Sequence, residues 1–88
     1  KMDENYKFSF VIRGDVKFDL GDYYGAISDY NKSIKIDSND SFPYYFRGLA
    51  KKEIGDSNGA CSDMKRSLEL SKNNKATEIL NKWIKNYC

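Results

Sequence analysis

With no histidine in the chain, the commonest general base and metal ligand is missing, and acid–base chemistry would fall to carboxylates. The candidates are Asp15, Asp19, Asp22, Asp29, Glu53, Asp56 and Asp63. A close pair could divide the roles of acid and base, but most of these residues stand where a helix cap or a solvated helix face accounts for them. We expect no catalytic residue and no enzyme. Sulfur offers little more. The two cysteines, Cys61 and Cys88, form no CxxC pair of the kind zinc requires. Both are expected to be ordinary thiols, Cys61 as a small buried hydrophobe. A bridge between them is the other reading, and it would need an oxidising compartment. No glycine-rich phosphate loop is present, and two N-x-S matches, at Asn31 and Asn39, read as chance. No metal and no cofactor are expected.

The basic residues Lys72, Lys75, Lys82 and Lys85 could touch RNA or lipid, but they are interleaved with polar residues and read as a solvated face. A net charge of +2 is too small to demand nucleic acid or an anionic membrane, and no segment is apolar enough to span a bilayer. No nucleic-acid and no membrane partner is expected. Lys1 stands ahead of Met2, which reads as a fragment or a tagged chain. The lack of a signal peptide therefore leaves the compartment unknown, with the cytoplasm as the default.

The elements that must position these residues emerge from an internal repeat. Residues 7–40 laid over 41–74, an offset of 34, agree at twelve positions; ordinary residue usage gives roughly two or three. The identities are Phe8/Phe42, Arg13/Arg47, Gly14/Gly48, Lys17/Lys51, Gly21/Gly55, Asp22/Asp56, Gly25/Gly59, Ala26/Ala60, Ser28/Ser62, Asp29/Asp63, Ser33/Ser67 and Asn39/Asn73. Each unit divides at a Gly-Asp pair. The glycine can stop a helix in the left-handed conformation, and the aspartate can cap the next. This predicts helices over 7–20, 23–36, 42–54 and 57–70. Asp40 or Ser41 can cap the third, and Pro43 falls in its first turn, where a missing N–H costs little. Gly14 and Gly48 sit mid-helix at a propensity cost of ~1 kcal/mol. Their recurrence points to close approach against Ala26 and Ala60, with Tyr30 or Met64 packing one turn further on. The 88 residues then make one all-α domain: repeat 1 at 7–40, repeat 2 at 41–74, and a closing helix at 75–88. That helix gathers Ala76, Ile79, Leu80, Trp83, Ile84 and Tyr87 on one apolar face, so Trp83 is read as packing and not as a ligand platform.

The unit length and the placement of glycine, alanine and aromatic residues resemble the tetratricopeptide repeat (TPR) family. Phe10 and Tyr44 stand where the family motif has tryptophan, followed by Gly14 and Gly48; Ala26 leads to Tyr30, and Ala60 to Met64. The run from Tyr44 to Asp56 looks like a frequent bacterial variant. The resemblance implies an α-α superhelix of two hairpins plus a capping helix. It departs at Arg13 and Arg47, which replace leucine, and at Lys17 and Lys51, which replace tyrosine. Their stems are expected to cover apolar surface while the charges reach water. Ser38 and Lys72 replace the usual closing proline.

The resemblance also implies a concave groove lined by the first helix of each unit. By motif position, Phe8, Val11, Asp15, Phe18 and Asp19 would line it from repeat 1, and Phe42, Tyr45, Leu49, Lys52 and Glu53 from repeat 2. Such a surface suits an apolar peptide or amphipathic helix. Some family members grip a terminal carboxylate with lysine, asparagine and arginine. The matching positions here are Val11, Asp15, Phe46, Ala76 and Leu80, so that clamp is absent. The expected function is a protein–protein interaction scaffold. The first helix, with Phe8, Phe10, Val11, Ile12, Val16, Phe18 and Leu20 nearly all round it, predicts a further neighbour. Residues 1–6, upstream repeats of a longer solenoid, a second copy (a homodimer) or a protein partner could supply it.

Overall fold

The computed structural model of the chain describes residues 2–71 and 74–88, with side chains described over 7–71 and 75–88. Lys72, and residues 1–6 as a cover for the first helix, lie outside the described side chains. Five helices follow one another: α1 (Met2–Asp19), α2 (Tyr23–Ile36), α3 (Ser41–Glu53), α4 (Ser57–Leu70) and α5 (Asn74–Tyr87). Each packs on its successor, and α1 also meets α3. The result is two stacked hairpins and a closing helix, an all-α superhelix without strands among the described residues.

The hairpin turns are built as their residues dictate. Gly21 and Gly55 adopt φ of 85° and 87°, a region in which a Cβ is costly. The amide of Asp22 donates to the Lys17 carbonyl at 2.8 Å and that of Gly21 to Phe18 at 2.9 Å, closing α1 as a Schellman turn. Asp22 and Asp56 then cap α2 and α4, their Oδ1 atoms accepting from the amides of Gly25 and Gly59 at 3.0 and 2.9 Å. A Cβ on either of these donor glycines would overlap the capping carboxylate, which explains a repeated glycine that helix propensity alone disfavours. Asp40 caps α3, accepting from the Phe42 amide at 3.1 Å.

Within each hairpin the helices touch through small residues. A Cβ on Gly14 would stand 2.8 Å from Cε1 of Tyr30; one on Gly48 would stand 3.1 Å from the Met64 methyl and 3.2 Å from the Ala60 carbonyl. Ala26, Tyr30, Ala60 and Met64 are buried beneath them.

Two expectations are corrected. Arg13 and Lys17 do not simply carry their charges to water. Arg13 donates to both oxygens of Asp29, Nε to Oδ2 at 2.9 Å and Nη2 to Oδ1 at 2.7 Å, and Lys17 Nζ stands 3.3 Å from Oδ2. Repeat 2 reproduces the arrangement: Arg47 forks onto Asp63 at 2.8 and 2.7 Å with Lys51 at 3.1 Å. The aspartate side chains are 0% and 5% exposed. A carboxylate so buried requires compensating charge, and the arginine and lysine, one helical turn apart, supply it. These two acids are thus neither caps nor solvated. Second, Cys61 and Cys88 are not free: they form a disulfide with Cα atoms 5.8 Å apart. Helix α5 folds back on α4, bringing the residue just past its C-terminus to the first turns of α4, a proximity that the separation of 27 residues does not announce. Such a bridge persists under oxidising conditions.

Candidate binding groove

The motif-derived residues do not line one continuous trough. Asp15, Phe18 and Leu49 come together with Asp19, Tyr30 and Phe46 around a cleft of 280 Å³ between α1 and α3. Phe42 and Tyr45 instead line a second cleft, of 180 Å³, with Ser41, Ser67, Ala76, Ile79 and Leu80. The remaining four line neither. Phe8 is exposed with the Lys7 ammonium 4.8 Å from its ring centroid, Val11 is half-buried, and Lys52 Nζ lies 4.7 Å from the ring centroid of Tyr87. Glu53 is exposed and also lies outside both clefts.

The first cleft has a fixed aromatic base. Tyr30, wholly buried on α2, stacks with Phe46 at 5.9 Å and 22°, and Tyr45 meets Phe46 edge-on at 5.2 Å. The Tyr30 hydroxyl donates to Oδ1 of Asp15 at 2.5 Å. Burial, then that bond and the charges of Asp15, Asp19 and Asp29, push the phenol far above its ordinary value, so it remains a donor at any pH at which the protein works. Asp15 is held in place as a result. Among the described residues, the lining of the second cleft carries no charged side chain. Its far wall is the apolar face of α5, which the sequence marks as a cap and which proves also to be a lining surface. Trp83 is half-buried and tilts against Tyr87, centroids 4.8 Å apart.

In the sequence Tyr30 reads as hairpin packing, and Phe46 as a position where related domains grip a carboxylate. Tyr30 is fully buried at its position and still reaches the cleft, because the helix in front of it carries glycine at position 14. Among the described residues no group of acids and cysteines could hold a metal ion, and no helix is long and apolar enough to cross a membrane.

Two family profiles match the chain, one described as TPR repeat over residues 14–55 and one as tetratricopeptide repeat over residues 43–74. Between them the two matches mark residues 14–74 as tetratricopeptide repeats. Solved TPR domains share its architecture. The first TPR domain of Spaghetti (RPAP3), bound to the HSP90 peptide SRMEEVD, superposes with a TM-score of 0.76 at 29% identity over 89% of this chain. The second TPR domain of the same protein, with the same peptide, gives 0.76 at 23% identity over 92% of this chain. This chain spans 64% of the first domain's length and 84% of the second's. No curated protein matches its sequence.

Proposed function

We propose that this TPR chain is a scaffold that holds a partner's peptide or helix across its two concave clefts. The supporting observation is the pair of clefts itself, one with an aromatic base between α1 and α3 and one apolar between α3 and α5, with Phe42 standing exposed at the second. Peptide binding by the first RPAP3 domain supports the general mode. The acidic peptide bound there is not a model for the partner here, because the positions that would grip its carboxylates are Val11, Asp15, Phe46, Ala76 and Leu80. No enzymatic role is proposed. The test is affinity capture from a native lysate with the chain and with a Phe42→Ala/Tyr45→Ala variant whose helicity is verified by circular dichroism. The wild-type chain retains a partner that the variant loses. Retention by both makes the groove assignment wrong.

A second reading concerns α1. Phe8, Ile12, Val16 and Leu20 form an exposed stripe along it, and the repeat shows what covers the counterparts of Ile12 and Val16 on α3: Phe46 stacks on Tyr30 of the preceding hairpin's second helix, and Ala50 is fully buried. We propose that a preceding helical unit covers α1, making these repeats the closing end of a longer solenoid. A further 34-residue unit upstream in the parent polypeptide supports this. A dimer in sedimentation velocity that is abolished by Ile12→Lys replaces it with self-association.

A further inference from the structure

We infer that the α1–α3 cleft selects a partner segment presenting a basic side chain, lysine or arginine, beside an apolar one. The inference rests on the groove reading above and adds the chemistry of the occupant. The charged residues lining this cleft are Asp15 and Asp19, four residues apart on α1 and therefore on one helix face. Asp15 commits one oxygen to the Tyr30 hydroxyl. Asp19 is exposed and makes no ion pair among the described residues.

The neighbouring cations are spent elsewhere. Arg13 and Lys17 on the same helix bind Asp29, while Arg47 and Lys51 on α3 bind Asp63. Lys52 lies against Tyr87. No ion pair among the described residues takes up either carboxylate of the cleft, and both stand beside the ring of Phe46, itself stacked on Tyr30. A guanidinium or ammonium gains through charge-assisted hydrogen bonds to the carboxylates and through the half-buried ring of Phe46. A carboxylate entering the same space meets like charge. The adjoining cleft, walled by Ile79 and Leu80, has an uncharged lining among the described residues, so the favoured segment carries its apolar anchor on that side of the basic residue.

The test is a calorimetric titration of the 88-residue chain with acetylated, amidated peptides. They share one leucine-containing helical frame and differ at one central position: arginine, leucine or glutamate. At low salt the arginine peptide binds about tenfold more tightly than the glutamate peptide, with leucine between. Asp19→Asn, at an exposed position, brings the ratio close to one. Phe18→Ala with Leu49→Ala weakens all three. Equal affinities, a glutamate preference, or a ratio indifferent to Asp19→Asn overturns the charge selectivity while the groove reading stands. Binding that survives Phe18→Ala/Leu49→Ala, or no binding by any peptide, overturns both.

Discussion

Helices α1 and α3 share a frame of glycine, arginine and lysine at matching positions and end in the same Gly-Asp turn, but they live in different surroundings. Val16 is 53% exposed, whereas its counterpart Ala50 is fully buried. The Arg13 side chain is 53% exposed and that of Arg47 19%. The difference is not in the hairpins, whose internal salt bridges agree within a few tenths of an ångström. It lies in the neighbour. Arg47 lies against α2 and donates from Nη1 to Oδ1 of Asn31 at 2.8 Å, while α1 has no described helix on that side. In a repeat protein the motif fixes the hairpin, and the position in the stack fixes the solvent exposure.

The sharpest way to break the comparison is at the other end. The disulfide holds α5 over repeat 2, closing a loop set by a separation of 27 residues. By the chain-entropy relation such a closure contributes about 3.5 kcal/mol. Reduction, or Cys61→Ala/Cys88→Ala, is expected to lower unfolding stability in urea by about that much. It also makes repeat 2 behave more like repeat 1, with its outer side poorly held. An unchanged denaturation midpoint would mean that α5 is secured by packing alone.

Next in size is the buried aspartate. Asp63→Asn strands Arg47 and Lys51 where little water reaches them, with an expected loss of about 3 kcal/mol. Asp29→Asn leaves Arg13, which is better hydrated, and should cost less. Equal losses would defeat the account based on solvent access. The pairing also carries a pH signature. The Asp29 carboxyl is held below its ordinary value, chiefly by the hydrogen bond from Arg13 and against its own burial. Its contribution is therefore complete above the unfolded carboxylate pKa, about 4, and is lost as pH falls through the lower folded value. Asp29→Asn should flatten the acid limb of a stability–pH curve and leave the neutral region parallel to wild type.

A third contrast is internal to the hairpins. Gly14→Ala drives a methyl to 2.8 Å from a buried tyrosine ring, a rigid neighbour, and a net loss of about 1–2 kcal/mol is expected despite the better helix propensity of alanine. At Gly48 the nearest atom is the flexible methyl of Met64 at 3.1 Å. The Ala60 carbonyl at 3.2 Å and the Asp63 Cβ at 3.3 Å are less able to give way, so a loss smaller than at Gly14 is expected, and thermal melts of the two variants should separate.

How much of this was legible in the sequence depends on whether the signal was local. Residues 23–36 and 57–70 are helical as read, since Asp22 and Asp56 mark their starts. Helix α1 begins at Met2 and not at Lys7, because the reading followed the repeat's register and no cap residue marked an earlier start. The ion-pair triads were present as three identities per unit but were read singly; only the packing of α1 on α2 shows that Arg13, Lys17 and Asp29 converge. The disulfide was opaque because spacing along the chain says nothing of how α5 returns. For the groove, motif position indicated residues near the clefts. The division into an acidic and an apolar cleft required the ring of Tyr30, on a helix that the motif does not assign to the concave surface, and the face of α5, where the motif marks only Ala76 and Leu80.

The smallest expected effect bears on the first contrast most directly. Val16→Ser removes apolar surface that is already wet, so in the chain by itself its cost should stay within about 0.5 kcal/mol. Ala50→Ser buries a hydroxyl against α2 with no partner provided for it, an expected loss of about 1–3 kcal/mol. Ala50→Ser adds a single oxygen at a fully buried site, whereas Val16→Ser removes carbon from a half-exposed one, so the contrast reports chiefly the covering helix. Adding whatever helix packs on α1, in cis or as a partner, should raise the cost of Val16→Ser toward that of Ala50→Ser. If the cost is already high without it, the α1 stripe is buried in solution by a second copy of the chain, and the two repeats are equivalent after all.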